Sequence, residues 1–82
     1  MRNSSCLIVL DDDQHTENHF RSVLSSLFPH YKNNLIASIC HLIHKEGSAD
    51  CAIGPTERIE HCQDQLARYG IQSRIELRMI HD

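Results

Sequence analysis

The feature that most constrains this chain is an apolar run that ends in three carboxylates. Leu7 to Leu10 are consecutive apolar residues of strand length, and Asp11, Asp12 and Asp13 follow directly. Such a run is typical of a strand buried in a sheet, either on both faces or beneath a helix. Three adjacent negative charges at the strand's C-terminal end favour a positive partner nearby. The alternative is a solvated acidic turn that closes the strand and caps the next helix.

The length and charge of the chain limit the classes of protein to which it can belong. Its 82 residues, 40% of them apolar, predict a single domain over residues 1–82 with one small core. A net charge of −3 argues against nucleic acid bound by a basic patch and against a polybasic membrane anchor. No apolar run reaches the roughly 20 residues that cross a bilayer. We therefore expect a cytoplasmic protein, or one in an organelle stroma after loss of a transit segment, without nucleic-acid or membrane partners.

The periodicity of the remaining apolar residues predicts three helices and two further strands. Helical spacing begins after a cap at His15 or Thr16, resumes near Asn33, and resumes again with Pro55 as the first helical residue. The predicted inward residues are Phe20, Val23, Leu24 and Leu27, then Leu35, Ile36, Ile39 and Ile43, then Ile59, Cys62, Leu66 and Tyr69. The strands alternate, with Ala49, Cys51 and Ile53 on one face of the first and Ile71, Ile75, Leu77 and Met79 on one face of the second.

The predicted order is β-α-α-β-α-β, which indicates an α/β fold in two layers. We expect a small sandwich in which a three-stranded antiparallel sheet carries three helices on one face. Gly47 and Gly70 are the expected helix ends. A domain this small leaves no room for a deep cofactor cavity, and no cofactor is expected.

The acidic turn and the histidines are compatible with two chemical alternatives. His15 and His19, like His41 and His44, have helical spacing that could place metal ligands on one face, but no closed four-ligand set is present. The acidic turn also resembles the Mg²⁺ and phosphoryl site of receiver domains, although that fold needs more strands and a later phosphoacceptor. No catalytic motif appears elsewhere, so we expect a protein that is not an enzyme.

A third chemistry is the binding of an ammonium group. Carboxylates at a strand end can accept charge-assisted hydrogen bonds from the N-terminal amine of a peptide, and neutral His44 could supply another acceptor. An apolar pocket beside them would select the first side chain.

These residues resemble the ClpS family, the adaptors that pass substrates with destabilising N-terminal residues (N-degrons) to the Clp AAA+ unfoldase and protease. Leu7 to Asp13 are similar to the family's strand ending in Asn-Asp-Asp, and Ile43 to Gly47 are similar to its Val-His-x-x-Gly. Gly54 to Ile71 follow the register of its third helix and last strand. The family's fold is similar to the C-terminal domain of the ribosomal stalk protein.

The resemblance implies a peptide-binding site and a docking residue. Asp11, Asp12 and His44 would contact the α-amino group of the substrate's N-terminal peptide. The pocket for its bulky first side chain would be bordered by Asp13, His15, Glu17, Phe20, Cys40 and Ile71. Glu57 would contact the N-terminal domain of the unfoldase. The sequence differs from the family in having Asp11 for Asn, Glu17 and Cys40 for Met-type residues, and Cys62 for Lys. About five residues precede the predicted first strand, so the family's N-terminal arm is expected to be almost absent.

Two other functions are also compatible with these residues. The first is a metal-binding or phospho-accepting acidic pocket. The second is an interaction module that docks on an unfoldase without reading N-termini.

Overall fold

The helices and strands follow one another in the predicted order. The computed structural model describes residues 2–80, with side chains described for residues 4–78. The elements are β1 (Arg2–Leu10), α1 (Glu17–Leu27), α2 (Asn33–Glu46), β2 (Ser48–Gly54), α3 (Thr56–Arg68) and β3 (Ser73–Ile80). The sheet order is β2-β1-β3, with both pairings antiparallel. The predicted two-layer α/β fold with a three-stranded antiparallel sheet is confirmed.

One hydrophobic core fills the space between the sheet and the helices. Leu7 and Val9 of β1 are fully buried against it, because alternate residues of a strand point to the same face. The helices contribute buried residues at helical spacing, among them Phe20, Ile43 and Leu66. Within residues 2–80, no helix is both long enough and apolar enough to cross a bilayer.

The other face of the sheet is covered by charged side chains instead of helices. Cys6 and Ile8 of β1 are buried on this face, only 2% and 3% exposed. Arg78 lies 3.7 Å from Asp50 and 3.5 Å from Glu76, so its ion pairs connect β3 to the far strand β2 across β1. The apolar stems of long charged residues can cover buried neighbours in this way while their charges stay in water.

The ends of the helices show the capping that the sequence predicts. Thr16 is the N-cap of α1, and its hydroxyl accepts a hydrogen bond from the His19 backbone at 3.2 Å. Gly47 ends α2 with a φ of 87°. Gly70 follows α3 with a φ of 79°, and the next residue, Ile71, donates its backbone N–H back to Leu66. This arrangement is a Schellman motif, which satisfies carbonyls that the helix end leaves unpaired.

Several predicted boundaries were wrong. β1 begins at Arg2 and not at Leu7, because its polar first half pairs with β3 and buries Ser5 against the hydroxyl of Thr56 at 2.7 Å. Residues 2–6, which precede the apolar run, are therefore part of the central strand. Pro55 is the N-cap of α3 rather than its first residue, and β3 starts at Ser73, which leaves Ile71 in the preceding turn.

Four residues predicted to face inward are exposed instead. Leu35 lies beside the buried face of α2 and Tyr69 caps the end of α3, and both are nearly half exposed. A β-bulge in β2 sets Leu7 opposite Ala52 but Ile8 opposite Asp50, so that Ala52 packs on the core and Ile53 turns outward. Leu77 pairs with Ser5 near the open end of the sheet and is 63% exposed. The side chain of Met79 lies outside those the structure describes.

Candidate functional site

The acidic turn is tied to the end of α2 by its backbone. Asp11 donates its backbone N–H to the carbonyl oxygen of Gly47 at 2.9 Å. Gly47 can present that carbonyl because its left-handed conformation stops the helix there, a conformation that glycine adopts without strain. His44 lies one turn earlier on α2. The first carboxylate after β1 is therefore held beside an imidazole that is distant in sequence.

Asp11 and His44 approach each other without forming a hydrogen bond. Asp11 Oδ1 lies 3.2 Å from His44 Nδ1, which is within ion-pair distance. The two atoms are not aligned for a hydrogen bond, and Asp11 Oδ1 is buried with no hydrogen-bond partner among the described residues. A buried acceptor left without a donor costs about 1–3 kcal/mol, and more when charged. The hydrogen-bonding capacity of this oxygen is therefore not filled by the described residues.

The carboxylate of Asp12 already accepts hydrogen bonds from its own turn. Asp12 Oδ1 accepts the backbone N–H groups of Gln14 at 2.9 Å and His15 at 2.8 Å, the pattern of an Asx turn. Asp12 Oδ2 lies 2.7 Å from His15 Nδ1. The hydrogen bond to His15, supported by the two backbone bonds, lowers the pKa of Asp12. Asp12 thus shapes the turn and fixes His15.

Aromatic packing connects the two histidines of the site. The rings of Phe20 and His15 pack edge to face, with their centroids 6.2 Å apart. The rings of Phe20 and His44 are perpendicular, with their centroids 5.6 Å apart. The His15 ring also stacks on His19 at 4.5 Å, and His19 Nε2 lies 3.1 Å from the Tyr69 carbonyl oxygen. Phe20 itself is fully buried, so it supports both imidazoles from the core.

The remaining predicted site residues occupy two kinds of position. Phe20, Cys40 and Ile71 are core residues with at most 2% exposure, so they do not offer an open apolar pocket. Asp13 is exposed, and Glu17 forms an ion pair with Arg21 at 3.4 Å on the surface of α1. The structure therefore brings Asp11, Asp12, His15, Phe20 and His44 into one connected group, with Asp13 and Glu17 at its periphery. Glu57 is exposed on the first turn of α3, where its charge favours the helix dipole.

Three cavities formed by described residues lie away from this group. Three cavities of about 460, 410 and 400 Å³ lie respectively between α2 and β2, beside the turn after α3, and between the α1–α2 loop and α3. None of the three is lined by Asp11, Asp12 or His44. The candidate site thus differs from these three cavities in being distinguished by its charge and hydrogen bonding.

The metal-binding alternative finds no ligand set in the part of the chain that the structure describes. No group of three or more His, Cys, Asp or Glu side chains there is arranged to hold a metal ion. His15 and His19 stack face to face, and His15 is bonded to Asp12. Burial also raises the pKa of the Cys40 thiol to about 11 and that of Cys51 to about 12, which disfavours the thiolate that a metal would need.

Gly70 is a site residue that the sequence indicated only as a helix end. A side chain at this position would begin 3.2 Å from His15 Nε2, so the bare backbone makes room for the imidazole. The sequence predicted this helix end, because glycine is common where a helix ends and the backbone turns to a positive φ. The contact with His15 depends on tertiary packing and left no such signal.

Comparison with known proteins gives consistent results. The family model for the ATP-dependent Clp protease adaptor protein ClpS matches residues 2–80. The ATP-dependent Clp protease adapter proteins ClpS of Thermosynechococcus vestitus and a Nostoc species are 32% and 34% identical over 65 residues, 79% of this chain and 69% and 67% of theirs. The structure of Agrobacterium tumefaciens ClpS2 bound to L-phenylalaninamide superposes with a TM-score of 0.86 at 15% identity, over 95% of this chain and all of that one. That likeness concerns the fold.

The small two-layer fold and these matches place the chain in the class of adaptors of ATP-dependent Clp proteases. It belongs to the ClpS family. The predicted family is confirmed, and it is one of adaptors, not one defined by catalysis.

Proposed function

We propose that this chain recognises N-degrons and presents them to a Clp unfoldase without catalysing a reaction. Residues 1–82 would act as one binding domain, located with the unfoldase in the cytoplasm or an organelle stroma. The substrate's N-terminal ammonium would bind among Asp11, Asp12 and His44. The observation that carries this proposal is the buried oxygen of Asp11, which lies beside His44 and lacks a hydrogen-bond donor among the described residues.

An ammonium group fits this site better than a neutral donor would. It supplies three N–H donors and a positive charge at a turn that carries three carboxylates in succession. Hydrogen bonds between charged groups contribute about 1.5–3 kcal/mol each, roughly twice the value of neutral ones. The ligand of the Agrobacterium ClpS2 structure, L-phenylalaninamide, has a free amino group and an apolar side chain. It belongs to the ligand class proposed for this chain.

The first side chain of the substrate would lie against the rim of the site. Asp13, His15 and Glu17 would border it, with Phe20, Cys40 and Ile71 beneath them. Because these three apolar residues are buried, the rim rather than the core would determine which side chains are accepted. We therefore expect Glu17 and its ion pair with Arg21 to reduce the preference for purely apolar first residues.

Fluorescence anisotropy with labelled peptides tests this function. Peptides beginning with Leu, Phe, Trp, Val or Met are compared with an N-acetylated Phe peptide. We expect at least one peptide with a bulky first residue to bind, and its acetylated form to bind at least about tenfold more weakly, because tenfold corresponds to 1.4 kcal/mol. Equal binding of the acetylated and free peptides would reject the ammonium site. Binding to the unfoldase with no binding of any peptide would favour a docking module instead.

The docking surface would lie at the start of α3. Glu57 is exposed there, and Arg58 beside it is exposed with no ion-pair partner among the described side chains. We expect Glu57→Lys to weaken binding to the N-terminal domain of a Clp unfoldase several-fold, since charges at an interface rim act mainly on association. Glu46→Lys, an equal charge reversal on α2, is the control. Equal effects of both substitutions would reject the assignment of Glu57.

A further inference from the structure

Helix α2 carries exposed apolar side chains on the side that faces the edge of the sheet. Leu35 and Leu42 are 44% and 45% exposed. Seven residues make almost two full helical turns, so the two side chains lie on one face, about 10.5 Å apart along the helix axis. Both line the cavity of about 460 Å³ between α2 and β2, together with Ser38 between them and Ile53 of β2, which is 62% exposed. We call Leu35, Ser38 and Leu42 the α2 stripe.

The exposed apolar residues are clustered here and not scattered over the surface. Three of the five large apolar side chains that are exposed among residues 4–78 line this one cavity. Isolated exposed apolar residues are ordinary, whereas a contiguous patch marks a surface that another molecule covers. The residues around the α2 stripe indicate what that molecule is.

A partner at this place would contact helix α2 and would not extend the sheet. β2 is an outer strand of the sheet, but its edge is interrupted. A β-bulge shifts its register between Ala52 and Asp50, and the hydroxyl of Tyr31 donates a hydrogen bond to the carbonyl oxygen of Cys51 at 2.9 Å. A bulge and a carbonyl that is already bonded both oppose the pairing of an added strand. The contact is therefore made by the side chains of the α2 stripe.

The charges at the two ends of the stripe are self-complementary. Lys32 lies three residues before Leu35, and Glu46 lies four residues after Leu42. Both charged residues are exposed, and neither takes part in an ion pair among the described side chains. We propose that the α2 stripe is the interface of a dimer, in which the α2 helices of two copies of this chain pack antiparallel. Leu35 of each copy would then face Leu42 of the other, and Lys32 would face Glu46.

The apolar and the charged contacts form in a single register. A two-fold axis beside Ser38 brings the leucines and the opposite charges together at the same time, and such an interface makes each contact twice. The side chain of Ser38 is small, so the helices can approach closely at the axis. Lys45 projects about 100° away from Glu46 around the helix and lies outside these pairs.

The charges also select the orientation of the helices. A parallel arrangement would set Lys32 beside Lys32 and Glu46 beside Glu46, and it would align the two helix dipoles. Exposed ion pairs contribute little to affinity. The leucines would therefore supply the affinity, whereas the charges determine the register and direction.

The α2 stripe is separate from the candidate site. His44 follows Leu42 by two residues, which is about 200° around the helix, so the two side chains point in nearly opposite directions. The dimer would leave the candidate site of each copy open. Dimerisation and peptide binding are therefore independent properties that separate experiments test.

Sedimentation velocity of the full chain over a range of concentrations tests the dimer. We expect the sedimentation coefficient of the unmodified protein to rise with concentration from that of a monomer to that of a dimer. Leu42→Asp should shift this transition to concentrations at least about tenfold higher, because each dimer would bury two unpaired carboxylates. Leu77→Asp, an equal change at a residue of β3 that is 63% exposed, should leave the transition in place. Thermal unfolding checks that each variant is folded.

Charge reversal tests the antiparallel register. Lys32→Glu and Glu46→Lys should each weaken the dimer, because each sets like charges opposite one another. Mixing the two single variants should restore association, since a dimer with one copy of each carries opposite charges at both ends. The double variant should also dimerise as the unmodified protein does. Added salt should reduce the difference between each single variant and the unmodified protein.

Other results would overturn the dimer or its register. An unmodified protein that stays monomeric at the highest concentration reached would rule out the dimer and leave the stripe to a different partner. A dimer that Leu42→Asp does not weaken, or that Leu77→Asp weakens equally, would have its interface elsewhere. Mixed single variants that associate no better than either one alone would exclude the antiparallel register. None of these outcomes depends on whether the protein binds a peptide with a free amine.

Discussion

At the scale of single residues, the bond between Asp12 and His15 makes stability depend on pH. That bond lowers the pKa of Asp12 in the folded protein. A carboxyl group whose pKa is lower when folded stabilises the fold above its unfolded pKa of about 3.9. The stabilisation is lost as the pH falls through the folded value. Acid should therefore weaken the acidic turn before it affects the apolar core.

We expect Asp12→Asn to be less stable than the unmodified protein at pH 7, and the difference to shrink as the pH falls below about 3.9. The reason is that the amide cannot become charged, so it lacks the contribution that the carboxylate loses in acid. The free energy of unfolding, measured in urea across this pH range, provides the test. Asp13→Asn, an exposed neighbour for which no hydrogen bond is described, is the control and should run parallel to the unmodified protein. A difference for Asp12→Asn that does not change with pH would contradict the prediction.

At the scale of elements, the turn between α3 and β3 determines where His15 can lie. Gly70 has a left-handed backbone conformation and faces the His15 ring. We expect Gly70→Ala to destabilise the protein by about 1–2 kcal/mol from the backbone conformation alone, with a further loss from crowding His15. Gly54→Ala is the matched control, because no atom lies within 4 Å of the added methyl group. Chemical denaturation of both variants makes the comparison, and equal stability of the two would contradict it.

The elements also show how far the sequence determines this fold. Helix ends were predictable because caps such as Thr16 and Gly47 are local signals. The exposure of Ile53 was not, since the bulge that turns it outward depends on the pairing of β2 with β1. The strand character of Arg2 to Ser5 was missed for a similar reason. Polar residues gave no strand period, and the hydroxyl bond between Ser5 and Thr56 joins residues 51 positions apart.

In the candidate site, the sequence identified the participants but not their arrangement. The acidic run and the His-x-x-Gly spacing marked Asp11, Asp12 and His44 without showing which carboxylate faces the imidazole. That depends on the backbone bond from Asp11 to Gly47. Phe20, Cys40 and Ile71 stay predicted borders of the pocket, and the structure shows in addition that all three are buried in the core. Side-chain volume in the finished core cannot be read from spacing along the chain.

At the scale of the whole molecule, the reactivity of the four cysteines measures how well the fold excludes solvent from its core. Cys6, Cys40 and Cys51 are buried, whereas Cys62 is partly exposed, and no disulfide joins them. Burial raises the pKa of all four thiols, so few thiolates are present near neutral pH.

We expect a thiol reagent at pH 8 to modify Cys62 first in the folded protein. The other three should react only as fast as the structure opens, and all four should react at once in denaturant. The rate and extent of modification are followed by absorbance and mass spectrometry. The variant Cys62→Ser should lose the fast phase. Fast modification of Cys40 or Cys51 in the folded state would contradict the burial described.

Phe20 carries a consequence for how this protein can change over time. The same ring completes the core and supports both His15 and His44. A substitution there would alter the core and the proposed ligand site together, so selection could not adjust one without the other. Residues 13 and 17, which lie at the surface, are free of that constraint. New substrate preferences in this lineage should therefore arise by replacement at the rim, while position 20 stays fixed.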